Sequence, residues 1–139
     1  MVKDTQEVTG RIRIYENDSL VLDEKNIVTT LGKSLYASIL AGTGTIPSHL
    51  GVDTSATVYT AGSTVLTTEV IRKGINLINT AANQVNFEFI ILPGEAVGAW
   101  NGIGLFNAAT AGTMSNVHNL AYTHNTADAI KIIWSVIIN

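Results

Sequence analysis

The stretch QVNFEFIIL, residues 84–92, alternates with a period of two. Val85, Phe87, Phe89 and Ile91 fall on one side and Asn86 and Glu88 on the other. Successive side chains of a strand point to opposite faces, so this is the pattern of a half-buried β-strand. TAAN (residues 80–83) turns the chain into it and Pro93-Gly94 ends it. Reading outward finds more of the same. RIRIY (residues 11–15) sets Ile12 and Ile14 against Arg11, Arg13 and Tyr15. ENDS (residues 16–19) is a turn cluster, because Asn and Asp tolerate a left-handed backbone. LVLDEKNIV (residues 20–28) then returns, completing an N-terminal hairpin. SHLGVD (residues 48–53) reads as a short strand and VIRKGINLI (residues 70–78) as a strand kinked at Gly74. GIGLF (residues 102–106) and MSNVHNLAY (residues 114–122) are strands joined by a turn at NAATAGT. Between them, Gly102 and Gly104 permit close backbone approach while Leu105 and Phe106 fill a core.

The last strand, AIKIIWSVII (residues 129–138), is apolar on both faces, with Ile130, Ile132, Trp134, Val136 and Ile138 on one and Ile133 and Ile137 on the other. Such a strand is central to a sheet, or its outer face is a subunit contact. One segment changes period. TLGKSLYASILAG (residues 30–42) places Leu31, Leu35, Ile39 and Leu40 at helical spacing, with Thr30 as N-cap and Gly42 as the stop. TSATVYTAGSTVLTTE (residues 54–69) is a Thr-rich excursion of weak β character. The expected fold is mainly β: an antiparallel β-sandwich of jelly-roll type with an N-terminal hairpin and one α-helix around residues 30–41, forming a single domain over residues 1–139. The polar start is expected to be an arm over residues 1–9 whose removal leaves the fold intact.

Composition narrows the function. Charged residues make up 14% of the 139, against roughly 25% in an ordinary globular domain. Thr, Asn, Ser and Gly stand in their place, so part of the surface is expected to be covered by copies or neighbours. A net charge of −3 carries no basic footprint for nucleic acid. The absence of cysteine removes disulfides, thiolate metal sites and thiol nucleophiles. No apolar run reaches the length of a membrane span, and the polar start is unlike a signal peptide. Synthesis in a host cytoplasm and no membrane partner are therefore expected.

The candidate chemistries each meet a plainer explanation. LGKS at residues 31–34 imitates the end of a phosphate-binding loop, yet Ile27 occupies the position where that loop needs its first glycine. His49, His118 and His124 match no zinc spacing, and a hydrogen-bonded structural role is expected for them. The acids are scattered; Asp18, Asp23 and Glu24 flank the first hairpin without a calcium-loop pattern. No Gly-x-Ser-x-Gly elbow is present. Tyr36, Tyr59, Trp100 and Tyr122 are of types that stack on sugars but share no face at regular spacing. No catalytic, cofactor-binding or metal-binding residue is assigned.

The order of segments resembles a bacteriophage tail-structure family. NIVTTLGKSLYASILAG, SHLGVDTSAT, LTTEVIRKGI, NQVNFEFIILPGEAVG and GIGLFNAATAGTM follow one another before a closing apolar strand, from Asn26 to Asn139. Two positions depart from that family's pattern: Gly102 where a Glu is common, and Val52-Asp53-Thr54 where Val-Gly-Thr-Gly is common. The resemblance implies a non-enzymatic β-sandwich component of a phage tail, baseplate or fibre. It would sit in the virion as a homo-oligomer, a trimer as first expectation, among other virion proteins. A capsid decoration or turret protein, and a receptor module holding host-surface glycans through Tyr59 and the loop at 54–68, are the alternatives.

Overall fold

The computed structural model describes residues 7–139. Its order is β1 (Val8–Glu16), β2 (Ser19–Val28), α1 (Thr30–Leu40), β3 (His49–Asp53), β4 (Glu69–Gly74), β5 (Leu77–Ala81), β6 (Gln84–Ile91), β7 (Gly98–Phe106), β8 (Met114–His124) and β9 (Ile130–Ile138). All neighbours pair antiparallel in the order β4-β3-β7-β8-β2-β1-β9-β6-β5. The mainly β, antiparallel architecture with one helix is as the periodicities require. The two layers expected of a sandwich are here halves of one continuous sheet curled into a half-barrel.

Two stretches of chain make that curl. β2 pairs with β1 from Ser19 to Asn26, then leaves it, and Ile27 and Val28 pair with β8. The second corner lies in VIRKGINLI. The chain does not run through it as one kinked strand: β4 ends at Gly74, pairing β3, and β5 begins at Leu77, pairing β6. Ile75 N donates to Ser48 O at 2.9 Å and Asn76 N to Glu88 O at 2.8 Å, so two residues are tied to both rims of the sheet. The open edges of the sheet, β4 and β5, are thus consecutive in the chain. Strands that switch layers at bends are the usual way such corners are turned.

The alternations put the core between the halves. Ile12, Ile14, Phe89, Ile132 and Trp134 from one half meet Leu50, Val52, Trp100, Ile103 and Leu105 from the other, all fully buried. A second, smaller cluster of Tyr59, Leu66, Phe106, Met114 and Val117 lies on the other face of the β3-β7-β8 half. The first hairpin turns at Asn17 and Asp18, both left-handed (φ 47° and 70°), the geometry a two-residue turn between twisted strands demands. Val8 and Thr9 already pair with Ile138 and Ile137 inside β1. Val8 and Thr9 therefore belong to the sheet and not to an arm, and a cut after residue 9 would strip rungs from the ladder. Residues 1–6 of the expected arm lie outside the described residues.

The helix has the expected span and a different face. Its N-cap is Thr29, not Thr30: the Thr29 side chain accepts from Gly32 N at 2.9 Å and donates to Met114 O at 2.6 Å. Gly32 and Tyr36 are the buried residues, whereas Leu31 and Leu40 are 47% and 75% exposed. A Cβ on Gly32 would stand 2.0 Å from Ser115 O, so the helix backbone rests directly on β8. Contact through a glycine, not a leucine stripe, sets this face.

Candidate interaction surface

Beneath α1 the half-barrel is not closed. Val8, Val136, Ile138, Val85, Phe87, Ile78 and Thr80, from four neighbouring strands, floor a groove whose wall is Tyr36, Ile39, Leu40, Ile46 and Pro47. It holds about 280 Å³ and its lining is almost wholly apolar. Leu40, Ile46, Ile78 and Ile138 on its rim are 44–75% exposed. The floor follows from the alternation of β1, β5, β6 and β9, whose registers line up Val8, Ile138, Val136, Val85, Phe87, Ile78 and Thr80 on one face. Tyr36 anchors the wall, its hydroxyl bonded to Ser115 Oγ at 3.1 Å and to Asn116 Oδ1. Burial pushes that hydroxyl's pKa well up, so it stays a neutral donor.

The Thr-rich excursion is organised by a carboxylate that spacing did not single out as a site. Asp53 is fully buried. Its Oδ2 accepts from Ser55 Oγ at 2.7 Å and Tyr59 Oη at 2.6 Å, and its Oδ1 from Thr68 N at 2.6 Å. Burial raises its carboxyl, but these hydrogen bonds together outweigh it and hold the pKa below the ordinary value. Asn119 fastens the same loop, donating to Tyr59 O at 2.9 Å and accepting from Tyr59 N at 2.7 Å. Tyr59, 3% exposed, lies on Gly102, where a Cβ would come within 2.5 Å of its ring. Asp53 and Gly102 thus both support one tyrosine, the first through its hydroxyl and the second through its ring. Tyr59 is therefore too buried to offer its ring to a glycan, the part that the receptor-module alternative gives it.

The other aromatics and ionisable residues are also accounted for inside the fold. Trp100 is fully buried, donates to Ala96 O at 2.6 Å and packs on Tyr122 at 5.2 Å between ring centroids. His124 is held between Glu95 O (2.7 Å) and Asp128 O (2.8 Å), and His49 by Ser48 Oγ at 2.8 Å. His118 Nε2 lies 2.7 Å from Glu24 Oε2 across the β2–β8 seam. Burial lowers its pKa, against the pull of Glu24. Asp23 pairs with Arg11 at 2.5 Å. Arg72 grips Glu69 with two nitrogens, donates to Ala108 O and Ala111 O at 2.9 and 3.1 Å, and lies 3.6 Å over the Phe106 ring. It therefore shapes NAATAGT, a role its sequence context did not reveal. Lys33 of LGKS is exposed while Gly32 is pressed on Ser115, leaving no loop to curl around a phosphate. Among the described residues no three His, Asp or Glu cluster to hold a metal, and no helix is long and apolar enough to cross a membrane.

Compared with known protein families, with characterised proteins and with solved structures, the chain matches none.

Proposed function

We propose that this chain is a non-enzymatic structural component of a bacteriophage virion, part of a tail, baseplate or fibre, that works by associating with copies of itself and with neighbouring virion proteins. The observation that carries the assembly reading is the groove under α1: an apolar floor and rim offered to solvent, without a polar group aimed into it. Apolar surface in that arrangement is stabilised by being covered, and it offers nothing to polarise or protonate a substrate. The scarcity of charge supports the same reading, since few ions need be desolvated when the surface is covered. The virion assignment rests on the order of motifs from Asn26 to Asn139. Light scattering on the purified chain tests self-association, with a multiple of the 14.8 kDa monomer expected. Gold-labelled antibody to the chain, applied to particles from a lysate that produces it, is expected to mark tails. Label on the shell would replace the tail reading by a capsid decoration, and unlabelled particles would defeat the virion reading.

A further inference from the structure

We infer that the chain self-associates through β5, which adds to β5 of a second copy across a two-fold axis at Asn79 and so continues one half-barrel sheet into the next. The inference deepens the assembly reading above, and rests on it, by naming the surface and symmetry.

β5 is an edge strand with all five residues exposed. Natural edges are normally blunted by charge, proline or bulges. β4, the other edge, carries Glu69, Arg72 and Lys73. β5 has no such guard: residues 74 to 87 include neither a charged residue nor a proline, and β5 pairs with β6 without a register shift. The ladder fixes which groups are free. β5 and β6 are joined by the two-residue turn Ala82-Asn83, so the closing pair Ala81–Gln84 is hydrogen-bonded. Alternation then directs the amides of Asn79 and Leu77 to β6 and turns those of Ile78 and Thr80 to the open side.

That open side is self-complementary. With the axis at Asn79, Ile78 of one copy opposes Thr80 of the other, and each exchanges both backbone hydrogen bonds with its mate. On the groove side the apolar floor, which ends at Ile78 and Thr80, runs on into that of the second copy. The outer face matches as well. Ser135 Oγ donates to Asn86 Oδ1 at 2.6 Å, and Asn86 Nδ2 donates to Asn79 Oδ1 at 3.0 Å. Asn79 Nδ2 has no partner among the described residues, and the axis brings it to Asn79 of the second copy, which completes the row. An isologous contact of this kind gives a dimer or an even-numbered assembly, where the family resemblance implies a trimer.

The absence of cysteine makes a direct test possible. In the full chain, Asn79→Cys sits at a non-hydrogen-bonded pair on the axis, close enough for a disulfide. Mild oxidation is expected to convert it to a covalent dimer at low micromolar concentration, while Leu77→Cys, which faces Ala81 across the axis, stays monomeric on denaturing gels. Thr80→Pro removes only an outward N–H, a change edge strands tolerate, and should weaken dimerisation about tenfold or more, with a melting curve unchanged at concentrations where both proteins are monomeric. If Thr80→Pro does not fold, Ile78→Lys takes its place with the same expectation. A wild-type oligomer that survives these changes, or cross-links no faster at 79 than at 77, would overturn β5 pairing and leave assembly by another face standing. A wild-type monomer at all concentrations would overturn β5 pairing and self-association together.

Discussion

Replacing Tyr59 by Phe isolates the hydroxyl that joins the Thr-rich excursion to Asp53. The ring stays on Gly102, so packing is conserved. What is lost is the bond from Tyr59 Oη to Asp53 Oδ2 (2.6 Å) and the bond that Thr67 N donates to the same hydroxyl (2.9 Å). A hydrogen bond to a buried charged acceptor contributes about 1.5–3 kcal/mol. The Thr67 amide is only part-buried and water can take over there, so the expected loss is about 2–3 kcal/mol. With an unfolding entropy near 0.3 kcal/mol/K for a chain of this length, that is a fall in Tm of roughly 8 °C. The pH dependence separates this account from simple loosening. Asp53 is held below its ordinary value in the fold, so its contribution is complete above the ordinary value of about 3.9 and is lost as pH falls through the folded value. Once the carboxyl is protonated its bond to Tyr59 becomes an ordinary neutral one. The gap between wild type and variant in urea unfolding should therefore stay level from pH 7 to about pH 4 and narrow only below that, as pH falls toward the folded value of Asp53. A loss below about 0.5 kcal/mol, or one of the same size at every pH, would refute the carboxylate's part in holding the loop.

Gly32→Ala puts a methyl 2.0 Å from a backbone oxygen of β8; neither side can swing away, and a loss of about 2–3 kcal/mol or more in chemical denaturation is expected. Ala82 holds a left-handed φ of 52° in the β5–β6 turn, so Ala82→Gly should raise stability by up to about 1 kcal/mol, read as a higher Tm. His118 has a lowered pKa because its ring is buried. Folding therefore favours the neutral form, and its contribution, full above the ordinary value of about 6.5, is lost as pH drops below it. His118→Gln should flatten the stability curve between about pH 7 and pH 5. Tyr122 Oη is buried without a hydrogen-bond partner among the described residues, so Tyr122→Phe should leave Tm unchanged or raise it.

Strand positions were legible because alternation is a local property: Ile12 and Ile14, or Phe87 and Phe89, announce one buried face without knowledge of what covers it. The hairpin at Asn17-Asp18 was legible for a similar reason, since the turn's backbone chemistry is carried by the turn residues themselves. What covers a face is not local. Leu31 and Leu40 sit on a helical stripe, yet α1 turns Gly32 and Tyr36 inward because β8 offers it a backbone ridge at Ser115 and hydroxyl and amide partners at Ser115 and Asn116. The break at Ile75-Asn76 is hidden for the same cause: VIRKGINLI keeps its β character while passing from one edge of the sheet to the other. The groove could not be foreseen, because its wall comes from α1 and the 46–47 segment and its floor from four strands drawn from the two ends and the middle of the chain.

The poverty of charge has two physical sources, and they should be kept apart. One is internal. In β7 every residue from Gly102 to Phe106 is buried, because the main core takes Ile103 and Leu105 while Tyr59 and Met114 take the face bearing Gly102, Gly104 and Phe106. A strand covered on both sides by its own chain needs no charge, and GIGLF (residues 102–106) is uncharged for that reason without any partner. The other source is external: β5, the rim of the groove and the run from residue 74 to residue 87, uncharged although β5 is exposed throughout. Internal burial cannot explain that second set. An exposed sheet edge without charge, proline or bulge tends toward uncontrolled pairing unless something covers it, and in the proposed β5 pairing the self-matching order of Ile78, Asn79 and Thr80 would supply a cover that closes on itself.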